Sequence, residues 1–182
     1  MLILKVKYFH TKIILFFFSF NAIIALKFFE KGGFILKTID SKKINLEKLL
    51  QDGNIIRIKP QGYSMYPLFI PGRDEALIQK VPVQSLRRND VVLYRRKHGI
   101  LVLHRICQIT SEGFFMTGDN QYEIEGPLQP EQIKGKLIAF IHNGIEISAD
   151  NLIYRFFSCL WLLMLPIRPF CFKLTAFFRK LK

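Results

Sequence analysis

The feature that most constrains the fold is a change in hydrophobic period at Asn54. Residues 41–51 carry apolar side chains at helical spacing, and this run ends before Asp52 and Gly53. From Asn54 onward the period becomes two, which is typical of strands. Seven runs follow it, at residues 54–59, 75–79, 91–96, 100–109, 114–117, 136–142 and 145–148. We therefore predict a mainly β fold, in which an antiparallel sheet curls into a partly closed, barrel-like domain after one short N-terminal helix.

The distribution of charge divides the chain into three segments. Residues 1–40 form a hydrophobic N-terminal segment, residues 41–150 the β-rich domain, and residues 151–182 a basic, hydrophobic, helical tail. Residues 1–29 and 151–182 together contain ten of the 27 Lys and Arg residues and no acidic residue. Basic and apolar side chains in the same segments favour contact with membrane lipid. The central domain lacks the basic face that nucleic-acid binding requires, so we predict no nucleic-acid partner.

The N-terminal segment contains an apolar stretch at residues 13–26, between Lys12 and Lys27. It is shorter than the roughly 20 residues of a spanning helix. A short signal anchor, an interfacial helix and an extension outside the folded unit all remain open, and we favour a membrane anchor. Lysines on both sides of the stretch leave the orientation in the membrane undetermined.

The tail also predicts membrane contact. Arg155, Pro166 and Pro169 interrupt its apolar residues, which argues against a simple spanning helix. We expect helices that lie in the membrane interface, with Trp161 at the level of the headgroups. The alternative is that the tail covers an apolar face of the β domain.

A serine, a histidine and two acidic residues in the central domain suggest hydrolytic chemistry. Ser64 lies in a turn directly after the first predicted strand, and His104 lies within a hydrophobic strand that would hold it rigidly. Asp119 follows a later strand, and Glu125 lies close behind it. A serine needs a base within reach and an acid that orients this base, so Ser64, His104 and either acid form a candidate set. A turn serine, a buried structural histidine and an Asx turn are the alternatives.

The sequence contains no recognisable metal or cofactor motif. Histidines and cysteines lack the spacing of ligand pairs, and neither a glycine-rich phosphate loop nor a dinucleotide fingerprint is present. We therefore predict chemistry without a metal or a cofactor.

Five motifs in fixed order extend this hypothesis. They are Gly-Tyr-Ser-Met-Tyr-Pro at 62–67, Asn-Asp-Val-Val at 89–92, Val-Leu-His-Arg-Ile at 102–106, Gly-Asp-Asn at 118–120 and Gln-Ile-Lys-Gly-Lys at 132–136. Together they resemble the conserved boxes of the signal peptidase I superfamily of S24/S26-type serine peptidases. The histidine at 104 resembles the serine–histidine branch of the endoplasmic reticulum, archaeal and sporulation enzymes. Asn89 departs from the pattern, since the family usually has glycine there.

The resemblance implies a membrane-associated serine endopeptidase that cleaves signal-like or leader-like peptides. Ser64 would be the nucleophile and His104 the general base, with Asp119 or alternatively Glu125 as the acid. The substrate would be a peptide or pre-protein with a hydrophobic leader, and the enzyme could accompany an export or maturation system. A catalytically weak escort or binding module of such a system is the alternative. A self-cleaving regulator would need a DNA-binding helix-turn-helix, which residues 1–53 do not offer.

Overall fold

The computed structural model of this chain describes residues 46–97 and 99–170. Eight strands lie between two helices: α1 (Leu46–Gln51), β1 (Ile56–Ile58), β2 (Glu75–Gln79), β3 (Val91–Arg95), β4 (Leu101–Thr110), β5 (Gly113–Thr117), β6 (Glu125–Leu128), β7 (Ile133–His142), β8 (Ile145–Ser148) and α2 (Leu152–Leu163). Short 3₁₀ helices occur at Val83–Ser85, Pro130–Gln132 and Leu165–Ile167. The predictions for residues 1–40 and for the end of the tail lie outside the described residues.

The strands form one antiparallel sheet in the order β1-β2-β7-β3-β4-β5-β6, and β8 pairs with β7. The prediction of a mainly antiparallel β fold is therefore confirmed. Register shifts interrupt four of the strand pairs, at β2/β7, β3/β7, β4/β5 and β5/β6. Such irregularities increase the local twist and curvature of a sheet.

The predicted partial closure into a barrel is wrong, because the edge strands β1 and β6 do not pair and the sheet stays open. Both edges are poor partners for closure. β1 has three residues, and β6 has four, including Gly126 and Pro127. Proline lacks the N–H that a closing ladder needs, and short edge strands with proline are a common way of ending a sheet.

The hairpin of β7 and β8 follows from its turn. Asn143 and Gly144 have φ values of 51° and 80°, and this left-handed pair is the geometry of a tight two-residue turn. The register pairs His142 with Ile145 directly across it.

One face of β3, β4 and β5 carries a hydrophobic core that also includes residues before and after these strands. Its members are Leu86, Val92, Tyr94, Ile106, Phe114, Met116 and Leu128. His104 is opposite Val92 and two residues before Ile106, so its side chain lies on this same face. The side chain of Arg105 therefore lies on the opposite face.

The helix α2 contacts the domain on the side of Arg105. Its N-cap is Asn151, whose side chain accepts hydrogen bonds from the N–H groups of Ile153 and Tyr154. Ser158 is buried, and its Oγ accepts hydrogen bonds from Asn89 Nδ2 at 2.8 Å and from Arg105 Nη1 at 3.1 Å. No helix in the described part of the chain is both long enough and apolar enough to cross a membrane.

Candidate active site

Ser64 lies in a turn between β1 and β2 that the core holds in place. Tyr66 N–H donates to the Tyr63 carbonyl at 3.1 Å, and Phe69 N–H donates to the Met65 carbonyl at 2.9 Å. Met65 and Phe69 are buried, whereas Ser64 is half-buried. The apolar residue directly after the serine thus anchors the turn while the serine stays near the surface.

Ser64 has three polar groups, its carbonyl, its amide N–H and its hydroxyl, and they differ in their hydrogen bonding. Its carbonyl accepts a hydrogen bond from Asn120 N–H at 2.8 Å. Within the described residues, neither its hydroxyl nor its amide N–H makes a hydrogen bond. These are the two groups that a serine nucleophile uses, one for attack and one for stabilising an oxyanion.

The turn at residues 118–120 approaches Ser64 so closely that it requires glycine at its start. A Cβ on Gly118 would lie 2.6 Å from the Ser64 carbonyl oxygen, which is closer than real Cβ atoms come to backbone. The turn also continues from Thr117, which pairs with Arg105 in β4. One short segment therefore connects the Ser64 turn to the strand of His104.

Replacing Gly118 with alanine is expected to push the Ser64 turn away from residues 118–120. We expect the free energy of unfolding to fall by about 1–3 kcal/mol, as overpacking does. Urea denaturation measures this change. Gly144→Ala is the control for steric contact, because no atom lies within 4 Å of its added Cβ and its cost comes only from its φ of 80°, whereas Gly118 has no positive φ. A Gly118→Ala protein as stable as the wild type would contradict this close approach.

Asp119 is buried and forms an ion pair with the equally buried Arg105. Arg105 Nε lies 2.8 Å from Asp119 Oδ1, and Arg105 Nη2 lies 2.7 Å from Asp119 Oδ2. Arg105 Nη1 also donates to the Asn89 carbonyl at 2.9 Å. Both carboxylate oxygens of Asp119 therefore face Arg105, and neither hydrogen-bonds to His104.

His104 is buried, and a tyrosine hydroxyl connects it to Glu125, the second candidate acid. His104 Nδ1 lies 3.1 Å from the Tyr94 hydroxyl oxygen, and the Tyr94 hydroxyl donates to Glu125 Oε2 at 2.7 Å. Arg96 holds Glu125 with Nε at 2.8 Å from Oε1 and Nη2 at 2.5 Å from Oε2. Of the two acids left open by the sequence, Glu125 is the one connected to His104.

The surroundings of His104 favour its neutral form. Burial, assisted by the charge of Arg96, lowers the pKa of His104 to about 4, and the charges of Glu125 and Asp119 only partly oppose this. At neutral pH the imidazole is therefore uncharged and able to accept a proton.

The structure does not join Ser64 and His104 directly. No hydrogen bond connects the Ser64 hydroxyl to the His104 ring. Catalytic hydrogen bonds often form only when a substrate is bound. The two residues are related here through the segment from Thr117 to Asn120, which contacts the strand of one and the turn of the other.

The tail contributes residues that the sequence did not single out as part of the site. Arg168 Nη1 donates to the carbonyls of Gly118 and Gln121 at 3.0 and 2.8 Å. The indole N–H of Trp161 donates to the Asp119 carbonyl at 2.9 Å, and the Arg168 guanidinium lies 4.9 Å from the Trp161 ring centre. The tail thus fixes the turn at residues 118–121 from the outside. No sequence motif links these positions.

Asn89 occupies the position where the resemblance expects glycine. Its φ is 80°, in the left-handed region that glycine adopts freely and asparagine tolerates better than most residues. Its side chain donates to Ser158 of α2 at 2.8 Å. The departure from the motif therefore keeps the backbone geometry and adds a contact to the tail.

Within residues 46–97 and 99–170, no group of three or more His, Cys, Asp or Glu side chains could hold a metal ion. No protein-family model, curated protein or solved structure matches this chain.

Proposed function

We propose that this protein is a membrane-associated serine endopeptidase of the signal peptidase type, which cleaves signal-like or leader-like peptides. The observation that carries the proposal is the state of Ser64. Its hydroxyl and amide have no hydrogen-bond partner in the described residues, and its carbonyl is bound to the segment that continues into the strand beside His104. A turn serine with a purely structural role would be expected to use its hydroxyl in a cap or turn.

The proposed reaction is acyl transfer. His104 accepts the proton of the Ser64 hydroxyl as the oxygen attacks the scissile carbonyl, and the Ser64 amide N–H stabilises the oxyanion. The protonated His104 then gives this proton to the leaving amine. Water, again activated by His104, hydrolyses the acyl-enzyme and restores the serine. All of these steps use groups of the chain itself and water.

The outward face of the tail supports the membrane part of the proposal. Six large apolar side chains on and after α2 have exposed fractions of 46% to 83%: Leu152, Phe156, Leu160, Leu163, Ile167 and Phe170. Residues 151–182 contain six basic residues and no acidic one. An apolar stripe in a basic, acid-free segment is complementary to the surface of an anionic bilayer.

A double substitution on this face is expected to weaken binding to vesicles. Phe156→Glu with Leu163→Glu removes two apolar anchors and adds two negative charges, so we expect the partition coefficient on phosphatidylglycerol-containing vesicles to fall at least about tenfold. Vesicle co-sedimentation measures it. Ile109→Glu, at an exposed apolar position of β4, is the control and should leave partitioning within about twofold of the wild type. If the double variant partitions onto the vesicles as strongly as the wild type, the outward face of the tail is not the surface that contacts the membrane.

One observation favours a second candidate, a binding module without catalysis. The Ser64 hydroxyl and the His104 ring share no hydrogen bond, and the Asp119 carboxylate is occupied by Arg105. Such a module would bind a leader peptide and leave it intact.

The deciding experiment uses the full chain in lipid vesicles with a panel of peptides. Each peptide has a hydrophobic leader followed by small residues, and mass spectrometry identifies the products. The proposal expects hydrolysis at one defined bond near the small residues. Binding of these peptides without any cleavage would establish the binding module in its place.

A further inference from the structure

Four side chains in a row connect the partly exposed Arg96 to Nδ1 of the buried His104. They come from three strands and the residue after β3, in the order Arg96, Glu125, Tyr94 and His104. Each neighbouring pair lies within 3.1 Å, and Tyr94 is completely buried. The contact between Tyr94 and His104 is diagonal, since Val92 is the residue directly opposite His104. Of these four side chains, only His104 takes part directly in the proposed reaction.

The direction of the hydrogen bonds follows from the single proton of the Tyr94 hydroxyl. This proton is donated to the Glu125 carboxylate, which can only accept while ionised. Burial and the neighbouring Glu125 raise the pKa of Tyr94, and Glu125 itself stays ionised because Arg96 and Tyr94 outweigh the effect of its burial and lower its pKa. The Tyr94 oxygen is then left as an acceptor. Nδ1 of His104 must therefore carry the proton that is shared with Tyr94.

A neutral imidazole has one ring proton, so a proton on Nδ1 leaves Nε2 with a free lone pair. Nε2 is consequently the nitrogen able to accept the proton of a nucleophile. When His104 becomes an imidazolium, its Nδ1–H stays bonded to the Tyr94 oxygen, and Glu125 supplies the opposing negative charge behind it. Asp119 cannot take this place without breaking its two hydrogen bonds to Arg105.

We propose that Tyr94 is a positioning residue, which connects Glu125 to Nδ1 of His104 and fixes the tautomer that leaves Nε2 as the base. This inference deepens the proposed peptidase function and rests on it for its kinetic consequences. It replaces the direct contact between acid and base of a simple triad with a contact bridged by a tyrosine hydroxyl. The charged and titratable groups that act on His104 are Arg96, Glu125 and Asp119 in addition to Tyr94.

The test compares Tyr94→Phe with the wild type by two readouts. The substitution removes only the hydroxyl and keeps the ring in the core. Nitrogen-15 NMR of the histidine ring should show the Nδ1–H tautomer of His104 in the wild type and a mixture of tautomers in Tyr94→Phe. With a leader peptide, kcat should fall about 10- to 100-fold while KM stays within about twofold, because the hydroxyl acts only through the base.

Two further variants separate orientation, charge and general structural damage. Glu125→Gln should keep the Nδ1–H tautomer, since its amide oxygen still accepts from Tyr94, but should lower kcat about tenfold by removing the negative charge. Tyr154→Phe is the matched control. It also removes a buried tyrosine hydroxyl, but this one lies 3.4 Å from Arg105 on the other face of the sheet. It should leave the His104 tautomer unchanged.

The two readouts distinguish failure of this inference from failure of the proposed function. An Nε2–H tautomer in the wild type, or an unchanged Nδ1–H tautomer in Tyr94→Phe, would overturn the role of Tyr94 whether or not peptides are cleaved. If the wild type cleaves no peptide but the tautomer responds as expected, the positioning of His104 by Tyr94 is supported and the peptidase proposal alone fails.

Discussion

Replacing Ser64 with alanine is expected to abolish cleavage of a leader peptide, with a fall in kcat of at least about 10⁴-fold, because alanine has no hydroxyl with which to form the acyl-enzyme. The loss should occur without a loss of stability. The Ser64 hydroxyl makes no hydrogen bond to the described residues, so alanine removes no observed contact. We expect the free energy of unfolding to change by less than about 0.5 kcal/mol. Peptide mass spectrometry and urea denaturation measure the two effects.

Ser85→Ala is the matched control for this substitution. Ser85 is exposed, and its hydroxyl donates to the Pro82 carbonyl at 2.6 Å in a short 3₁₀ helix. Its replacement should leave kcat unchanged within about twofold and cost at most about 1 kcal/mol. Cleavage that persists in Ser64→Ala would exclude Ser64 as the nucleophile, and with it the proposed peptidase mechanism.

The strands of this fold could be predicted where apolar and polar residues alternate, but their closure could not. Residues 75–79 and 145–148 were predicted with the bounds that the structure has. β6 was missed, because Gly126 and Pro127 interrupt any alternation in its four residues. Whether the sheet is open or closed depends on whether its two edge strands pair. This is a contact between distant parts of the chain, which no local pattern encodes.

The candidate site shows the same division between local and long-range information. The Ser64 turn and the rigid position of His104 follow from the sequence around each residue. The partners of the acids do not, because they depend on the register of neighbouring strands. Arg105 follows His104 directly, so it projects to the opposite face and pairs there with Asp119. Tyr94 reaches His104 only because β3 and β4 pair Val92 with His104.

Substituting Asp119 with alanine is expected to reduce stability more than any other change considered for this site. The carboxylate is the ion-pair partner of Arg105, and the two side chains are 2% and 1% exposed. Alanine would leave a buried guanidinium without its counter-charge, which costs about 3–5 kcal/mol. Asp150→Ala is the control, since the Asp150–Arg155 ion pair is exposed and should contribute less than about 1 kcal/mol. Urea denaturation of the two variants gives the comparison.

The same substitution separates a structural role of Asp119 from a catalytic one. The Asp119 carbonyl accepts a hydrogen bond from the Trp161 indole N–H, and the N–H of the next residue, Asn120, donates to the Ser64 carbonyl. Loss of the Arg105–Asp119 pair should therefore loosen the Ser64 turn as well, and reduced activity alone would not identify Asp119 as the acid.

In a double-mutant cycle, Asp119→Leu with Arg105→Met should be more stable than either single variant, because no charge remains buried. If Asp119→Ala loses kcat but keeps its stability, Asp119 is the acid that acts on His104. If Asp119→Ala loses stability and Glu125→Gln has a low kcat, that acid is Glu125.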